Sequence, residues 1–197
     1  VEDELPQEIK TVGGADQAFP GRDRVLSCVV TLSYPDMRLM ERSFSCLDMD
    51  FPYIPGLLTF REGPSIIEAY KKLGSKPDIL IIDGHGIAHP WGIGIAAHVG
   101  VLLDTPTIGV AKKRLVGDFK APQKVGVYMP LTYQGEVVGA VLKSKEGCNP
   151  IFISPGNRIS LETSIEVVKN CLRGHKLPEP TRLAHKLVNE EKNNIQK

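Results

Sequence analysis

The sequence has little net charge and no long hydrophobic run. Its 197 residues include 24 Lys and Arg and 23 Asp and Glu, a net charge of +1, which excludes a histone-like polycation but allows a local basic patch. Gly, His or Asp interrupts the apolar stretches well short of the roughly 18 residues that a membrane span needs. The acidic N-terminus has no apolar signal segment. We therefore expect a cytoplasmic protein that contacts no membrane.

Cysteine is sparse and follows no metal-binding pattern. Cys28, Cys46, Cys148 and Cys171 form no C-x-x-C pair, and no histidine lies at zinc-finger spacing from two of them. We expect four reduced thiols rather than disulfides, as is usual for cytosolic proteins.

Two other motifs are missing or incomplete. His85 and His89 are four residues apart, but the chain has no H-E-x-x-H motif, so a zinc pair is not expected. Residues 92–97 begin a dinucleotide-binding fingerprint but lack its third glycine. We therefore expect no nucleotide cofactor, and an oxidoreductase that uses one is excluded.

The composition, 42% apolar and 24% charged, is that of a soluble globular protein with a core. Three strand-like segments with short turns predict an antiparallel meander, and buried parallel strands alternate with helices after it. The predicted strands are 12–19, 25–32, 37–46, 78–83, 107–111, 125–130, 137–142 and 151–154, and the predicted helices are 92–103 and those that begin at Ser65, Ser160 and Pro180.

This order of elements is typical of an α/β protein with a mixed sheet flanked by helices, and one architecture with that order is the ribonuclease-H-like fold. We find no linker and no repeat, so we expect residues 1–197 to form a single domain. The polar residues 189–197 are expected to fray.

Three acidic residues interrupt, end or flank predicted elements. Asp16 interrupts VGGADQAF, Asp83 ends DILIID, and Glu62 precedes Gly63-Pro64. Ligands bind at the carboxyl ends of strands in open α/β sheets, and clustered carboxylates need a cation, for which oxygen ligands favour Mg²⁺ or Mn²⁺. A turn or a hydrogen-bonded strand position explains each acid alone. Asp16 and Asp83 together on neighbouring strands favour a metal site for phosphodiester hydrolysis.

Basic and imidazole side chains follow the same strands. Lys112 follows the predicted strand TIGVA, where an ammonium group can reach a scissile phosphate, and residues 112–114 form a local positive patch. A solvated basic turn is the alternative for these residues taken alone. His89 can orient a water molecule or contact a phosphate.

The segment PYIPG, residues 52–56, is the other unusual feature. Its two prolines stiffen a short loop that carries an aromatic and an aliphatic side chain. Rigid apolar wedges of this kind part stacked bases and flip one out. A buried aromatic turn is the alternative interpretation.

Five motifs together resemble the endonuclease V family. They are VGGADQAF, PYIPGLLTFREGP, DILIIDGHGIAHP, PTIGVAKKRLVG and ISPGNRIS, and they occur in the family's order. The resemblance extends from Val12 to about Leu187. Each motif alone is weak, whereas five in register are highly specific.

The resemblance implies a ribonuclease-H-like fold and a Mg²⁺-dependent endonuclease, also supported by Mn²⁺, that acts in DNA repair. It implies recognition of deoxyinosine, the product of adenine deamination, and cleavage of the second phosphodiester bond on its 3′ side. By position, Asp16 and Asp83 correspond to the metal-binding aspartates and Glu62 to the acid beside them. The catalytic positions implied are Asp16, Glu62, Asp83, His89 and Lys112.

Three further positions follow from the resemblance. Tyr53 corresponds to the aromatic residue of the strand-separating wedge. His185 resembles a histidine near the metal of bacterial members, and we group it with the nucleic-acid contacts. Trp91 is a departure, because the family commonly has Arg after His-Pro. The departure removes one expected phosphate contact and leaves the metal site untouched.

We expect the wedge to rotate a hypoxanthine base into a pocket with backbone walls. Backbone groups there can read O6 and N1–H of the base, and small residues exclude the amino group of guanine. The residues expected to bind nucleic acid are Pro52, Tyr53, Ile54, Pro55, Gly56, Leu58, Gly84, Gly109, Lys112 and His185.

Two alternatives remain open. Members of the family can prefer inosine in RNA, and the sequence does not choose between RNA and DNA. A non-catalytic nucleic-acid-binding module with this fold would predict the loss of a metal acid, yet Asp16, Glu62 and Asp83 are all present. We expect a monomer that binds inosine-containing DNA.

Overall fold

The computed structural model describes residues 2–49, 51–52, 54 and 56–196. In that part of the chain, strands and helices follow one another in the predicted order, a β-meander first and βα units after it. The elements are β1 (Thr11–Ala18), β2 (Arg24–Ser33), β3 (Leu39–Asp48), α1 (Leu58–Lys71), β4 (Ile79–Asp83), α2 (Ile95–Leu103), β5 (Thr107–Ala111), β6 (Tyr128–Tyr133), β7 (Glu136–Leu142), β8 (Ile151–Asn157), α3 (Leu161–Asn170) and α4 (Glu179–Ile195).

The strands form one mixed sheet in the order β3-β2-β1-β4-β5-β8-β7-β6. The meander β1–β3 is antiparallel, whereas β4 pairs in parallel with both β1 and β5. The last three strands extend the sheet in the antiparallel sense. This topology confirms the predicted α/β architecture, a ribonuclease-H-like mixed sheet flanked by helices in a single domain.

Helices cover both faces of the sheet. Alternation along β1 places Val12 in the core under α3 and α4, and Ala15 in the core under α1 and α2. On β4, Ile81 lies under α4, and Ile82 lies under α1 and α2. A side chain's odd or even position along these strands therefore decides which helices it meets.

The predicted start of the first helix is wrong. We expected it to begin at Ser65, after Gly63-Pro64, but α1 begins at Leu58 and contains Pro64. Proline removes one hydrogen bond from a helix interior. The helix persists because tertiary packing buries its inner side, including Ile66 and Ala69. Glu62 therefore lies inside α1 rather than before the helix.

The end of the last helix also differs from the expectation. α4 continues through the polar residues that were expected to fray, as far as Ile195. Lys186 pairs with Glu190, with Nζ and Oε1 3.8 Å apart, and the side chain of Asn189 donates to the carbonyl of His185. Polarity alone does not end a helix that meets no glycine or proline. No helix in the described ranges is both long enough and apolar enough to cross a membrane.

Candidate metal centre and nucleic-acid pocket

Asp16 and Asp83 lie side by side at one end of the central strand pair. In the parallel register of β1 and β4, Ala15 is opposite Ile82, so the next residue on each strand is one of these acids. Both side chains lie on the face of the sheet that α4 covers. Side chains alternate between the two faces along a strand, so Asp16 shares the face of Val12, and Asp83 shares the face of Ile81. The structure thus brings together the two carboxylates that the sequence predicted to meet.

α4 carries His185 to these acids because β1 allows the helix to approach closely. A Cβ atom at Gly14 would lie 2.2 Å from the carbonyl carbon and oxygen of Pro180, so a larger residue does not fit. Further along α4, Nδ1 of His185 lies 2.5 Å from Oδ2 of Asp16. This position agrees with the histidine near the metal that the resemblance implies, while the contact of His185 with nucleic acid stays a prediction.

One ligand atom from each of Asp16, Asp83 and His185 lies within 4.8 Å of the other two. We call these three residues the carboxylate group. Two carboxylate oxygens and an imidazole nitrogen at this spacing fit a single divalent cation. No other set of three such residues is found in the part of the chain that the structure describes.

The electrostatics of the carboxylate group also fit a cation. Burial, and next the charge of Asp83, raises the pKa of Asp16 to about 6. This rise in pKa is opposed by the charge of Lys112 and by hydrogen bonds from the backbone N–H of Gln17 and from His185. Two close carboxylates, one buried and one partly buried, repel each other, and a positive ion between them relieves that repulsion.

Glu62 lies outside the carboxylate group, and its assignment as a metal ligand stays a prediction. It sits on α1, which packs on the other face of the sheet, and none of its oxygens falls within the 4.8 Å set. Burial raises the pKa of Glu62 to about 7, Arg61 opposes this, and the charges of Asp16 and Asp83 add to it. Glu62 is therefore a buried acid whose ionised form the nearby carboxylate group disfavours.

Lys112 approaches the same acids from β5. Its ammonium group donates a hydrogen bond to Oδ2 of Asp83, and its side chain is 38% exposed. The parallel pairing of β4 with β5 brings the two strand ends to one edge. Lys113 and Arg114 follow and are exposed, which places the predicted basic patch beside the carboxylate group.

A cleft of about 180 Å³ opens next to this group. Gly84 connects the two, because it lines the cleft and directly follows Asp83. Three predicted wall residues, Gly56, Leu58 and Gly84, do line it. The full lining is Ile54, Gly56, Leu58, Thr59, Gly84, His85, His89, Gly94, Ile95 and Leu115.

Gly109 does not line the cleft, although it was predicted to. A Cβ atom on Gly109 would lie 2.3 Å from the nitrogen of Gly86, so this glycine lets β5 pack tightly beneath the loop that follows β4. In the predicted wedge segment, Ile54 lines the cleft and Pro52 is exposed. Tyr53 and Pro55 lie outside the described residues.

His89 belongs to the cleft and not to the carboxylate group. Its side chain is only 6% exposed, and its Nδ1 accepts a hydrogen bond from the backbone N–H of Trp91, at 3.3 Å. Burial lowers the pKa of His89, and a hydrogen bond to the backbone of Gly56 opposes that change. His89 thus ties the loop after β4 to the wedge segment.

Several cleft residues were not predicted from the sequence. Thr59, Ile95 and Leu115 come from α1, α2 and the loop after β5. Thr59 and Leu115 lie within quoted motifs, but none of the three side chains by itself indicates a base pocket, since each resembles an ordinary apolar or helix-start residue. Only the packing of three distant segments makes them neighbours.

Comparisons with known proteins identify the family. The sequence profile of the endonuclease V family matches residues 1–186. The chain is 49% identical, over 178 residues, to endonuclease V of Methanothrix thermoacetophila, which covers 90% of this chain and 79% of that protein.

Solved structures of endonuclease V have the same architecture. The Bacillus subtilis enzyme superposes with a TM-score of 0.93 at 34% identity, covering 99% of this chain and 86% of the other. Endonuclease V of Ciona intestinalis, in complex with a 24mer DNA containing an inosine followed by a ribo-adenosine, superposes with a TM-score of 0.87 at 28% identity, covering 99% and 92%. The sequence match along almost the whole chain establishes that this protein belongs to the endonuclease V family and is a nuclease.

Proposed function

We propose that this protein is a Mg²⁺-dependent endonuclease that recognises deoxyinosine in DNA and cleaves the second phosphodiester bond on its 3′ side. The observation that carries the proposal is the direct junction of the carboxylate group with the cleft through the consecutive residues Asp83 and Gly84. A base held in the cleft leaves its own backbone close to the carboxylates. The inosine-containing DNA bound by the Ciona relative supports the choice of base.

The walls of the cleft suit a hypoxanthine base. They combine the glycine backbone of Gly56, Gly84 and Gly94 with apolar side chains such as Ile95. At about 180 Å³ the cleft is smaller than sites for drug-sized ligands, and it suits one planar ring system. Backbone N–H and C=O groups can pair with O6 and N1–H, which distinguish hypoxanthine from adenine.

The carboxylate group would hold the cation, with Asp16 and Asp83 as oxygen ligands and His185 at the third position. When bound, a divalent cation supplies Lewis-acid chemistry that acidifies water and neutralises charge on a phosphate. His185 orients the carboxylate of Asp16 through its Nδ1 contact. Glu62 adds negative charge from the other face and strengthens the attraction for a cation.

Lys112 has a separate role in this proposal. Its ammonium group is anchored at Asp83 but remains partly exposed, so it can also meet a phosphate oxygen of a bound strand. There it stabilises the negative charge that develops as the phosphodiester bond breaks. His89, the other basic residue predicted to be catalytic, positions the cleft by holding the backbone of Gly56.

A nicking assay tests the proposed function. The substrate is a duplex with one inosine, labelled on the inosine strand, and the control is the same duplex with adenine at that position. We expect one product, whose length places the nick at the second bond 3′ of the inosine, and only when Mg²⁺ or Mn²⁺ is present. Equal cutting of the adenine duplex, or cutting that survives EDTA, would contradict the proposal.

Cleavage of inosine in RNA is the second candidate, because the Ciona complex carries a ribo-adenosine directly after its inosine. Matched strands that differ only in sugars at and next to the inosine decide between the two. A faster rate on the deoxyinosine strand supports DNA as the substrate, and a faster rate on the ribo strand favours RNA.

We also propose a monomeric, cytoplasmic protein. One chain supplies both the carboxylate group and the cleft, and its four cysteines are free thiols, as a reducing compartment favours. Light scattering of the purified protein, with and without inosine DNA, measures its oligomeric state. A mass near twice 21.6 kDa would contradict it.

A further inference from the structure

We propose that the indole of Trp91 is a stacking platform for an unpaired nucleobase next to the base held in the cleft. This inference rests on the proposed function, since it needs a nucleic-acid strand with one base rotated into the cleft. It concerns a residue outside the carboxylate group and outside the cleft lining. The partner is a neighbouring base of the same strand, which the wedge segment would also have separated from its complement.

Trp91 is held at the rim of the cleft by two of its lining residues. A Cβ atom on Gly56 would lie 3.0 Å from Cζ3 and 3.1 Å from Cη2 of the indole, so the six-membered ring rests against the wedge segment. The imidazole of His89 meets the indole edge-on, with ring centroids 5.7 Å apart. The backbone N–H of Trp91 donates to the same imidazole.

The indole is nevertheless largely uncovered. The residue is 62% exposed, which is a large apolar surface to leave in water. Ile54 and Leu115, which line the cleft, are also 40% and 51% exposed. Apolar side chains are therefore exposed both in the cleft and at its rim. The exposed basic residues Lys113 and Arg114 precede Leu115 in the chain.

A nucleobase is the occupant that this surface fits. Every base has an apolar π-face that stacks on an aromatic ring, whereas its phosphates need the basic residues nearby. A pre-positioned indole loses little conformational freedom when a base stacks on it. A base turned into the cleft leaves its neighbour with one stacking face open, and Trp91 can cover that face.

The chain contains one tryptophan, so its own fluorescence reports on this contact. The experiment adds single-inosine DNA to the protein in EDTA, which prevents cutting, and follows tryptophan emission together with the anisotropy of labelled DNA. We expect quenching on binding, because a stacked base alters the environment of the indole directly. We expect stronger quenching with inosine DNA than with the matched adenine duplex.

Substitutions separate stacking from a purely structural role. Trp91→Ala should raise the Kd for inosine DNA by about 5- to 150-fold, and Trp91→Phe should recover most of the loss, because both aromatic rings stack. The slope of log Kd against log salt should stay the same in Trp91→Ala, since no phosphate contact is lost, and should steepen in Trp91→Arg. Val101→Ala, which changes a residue on α2 that is 59% exposed, is the matched control and should bind normally.

The partner base can be located by replacing the nucleotide on either side of the inosine with an abasic unit. Loss of quenching for one of the two substrates identifies the stacked base. Quenching that survives both replacements, equal quenching by the adenine duplex, or a Trp91→Ala affinity within twofold of the parent would each overturn the inference. If the parent protein still nicks inosine DNA in that case, the proposed function stands and only the platform is wrong. If the parent does not nick it, the proposed function itself has failed.

Discussion

The carboxylate group is made of charged side chains fixed by strand register and one helix, whereas the cleft beside it is walled by glycine backbone and apolar side chains from three segments. Strand pairing fixes both aspartates, since Asp16 is opposite Cys28 on β2 and Asp83 is opposite Val110 on β5. The cleft has ten lining residues, of which several contribute only shape. Chemistry and recognition thus depend on the fold in different ways.

Substitutions in the two regions should therefore have different effects on nicking and on DNA binding. A change in the carboxylate group alters charge at the place where the bond breaks, so it should reduce turnover more than affinity. A substitution in the cleft removes one of many weak contacts, so it should reduce the affinity for inosine DNA by a modest factor and leave turnover unchanged. Four predictions test this contrast, beginning with the largest effect.

Asp83→Asn should have the largest effect. It removes a charged ligand and the partner of Lys112, so we expect single-turnover nicking to fall by at least about a thousandfold. The Kd for inosine DNA should change by less than about tenfold, since the cleft is intact. Asp23→Asn, at an exposed site, is the control and should be unchanged. Nicking by Asp83→Asn within tenfold of the parent would show that this carboxylate is not a ligand.

Gly14→Ala should come next, although Gly14 contacts neither DNA nor metal. The new methyl group would meet the Pro180 backbone and push α4 outward, which should cost about 1–3 kcal/mol of unfolding free energy. The displaced His185 should lower the nicking rate by at least about tenfold, with little change in DNA affinity. Urea unfolding and single-turnover kinetics measure the two effects.

The control for that change is Gly74→Ala, where the nearest atom to a new Cβ is Oε1 of Glu41, at an ordinary 3.5 Å. It should keep both stability and rate. An unchanged nicking rate in Gly14→Ala, despite a loss of stability, would show that the position of His185 does not affect the cleavage step.

The pH dependence of Mg²⁺ binding should be the third effect. The pKa values of Asp16 and Glu62 are raised to about 6 and about 7, so the folded protein holds these protons more tightly than the unfolded chain. Their contribution to stability is therefore present at low pH and is lost as pH rises through those values. A cation must displace the protons, so the rise in Tm caused by Mg²⁺ should be larger at pH 8 than at pH 5.5.

Thermal unfolding with Mg²⁺ or EDTA at each pH measures this increment. Asp83→Asn should show almost no increment at either pH, because the carboxylate group is incomplete. A rise in Tm that is equal at both pH values, or equal in parent and variant, would place Mg²⁺ binding elsewhere.

Leu115→Ala should have the smallest effect. Leu115 lines the cleft but is 51% exposed, so its truncation should raise the Kd for inosine DNA by no more than about tenfold, from lost apolar contact. Turnover at saturating DNA should not change. Leu102→Ala, at a leucine on α2 that is 59% exposed and outside this cleft, is the control. A loss of turnover in Leu115→Ala would show that the cleft also contributes to the cleavage step, contrary to this contrast.

Much of the fold follows from local patterns. Local patterns predicted β1 and β2 within a residue or two. The helix predicted to begin at Ser160 is α3, and Ser160 caps it, since its Oγ accepts from the N–H of Thr163 at 3.2 Å. The errors occur where tertiary packing overrides a local signal. Pro64 predicted a helix boundary that the buried face of α1 overrides.

The candidate site was predictable in part for the same reason. Asp16 and Asp83 stand out because each is an acid in an apolar strand, which local patterning reveals. The exclusion of Glu62 from the carboxylate group and the inclusion of His185 depend on which face each helix covers. No sequence spacing carries that information, since Asp16 and His185 are 169 residues apart.

The order of strands and helices, the acids on the central strands and the family all follow from the amino-acid sequence, because hydrophobic periodicity, turn residues and the order of motifs are local properties of the chain. The folded structure was needed to find which acids lie together, that Gly14 allows α4 to bring His185 to Asp16, and that Trp91 lies at the rim of the cleft. These are set by strand register and helix packing, in which residues far apart in the chain compete for the same space.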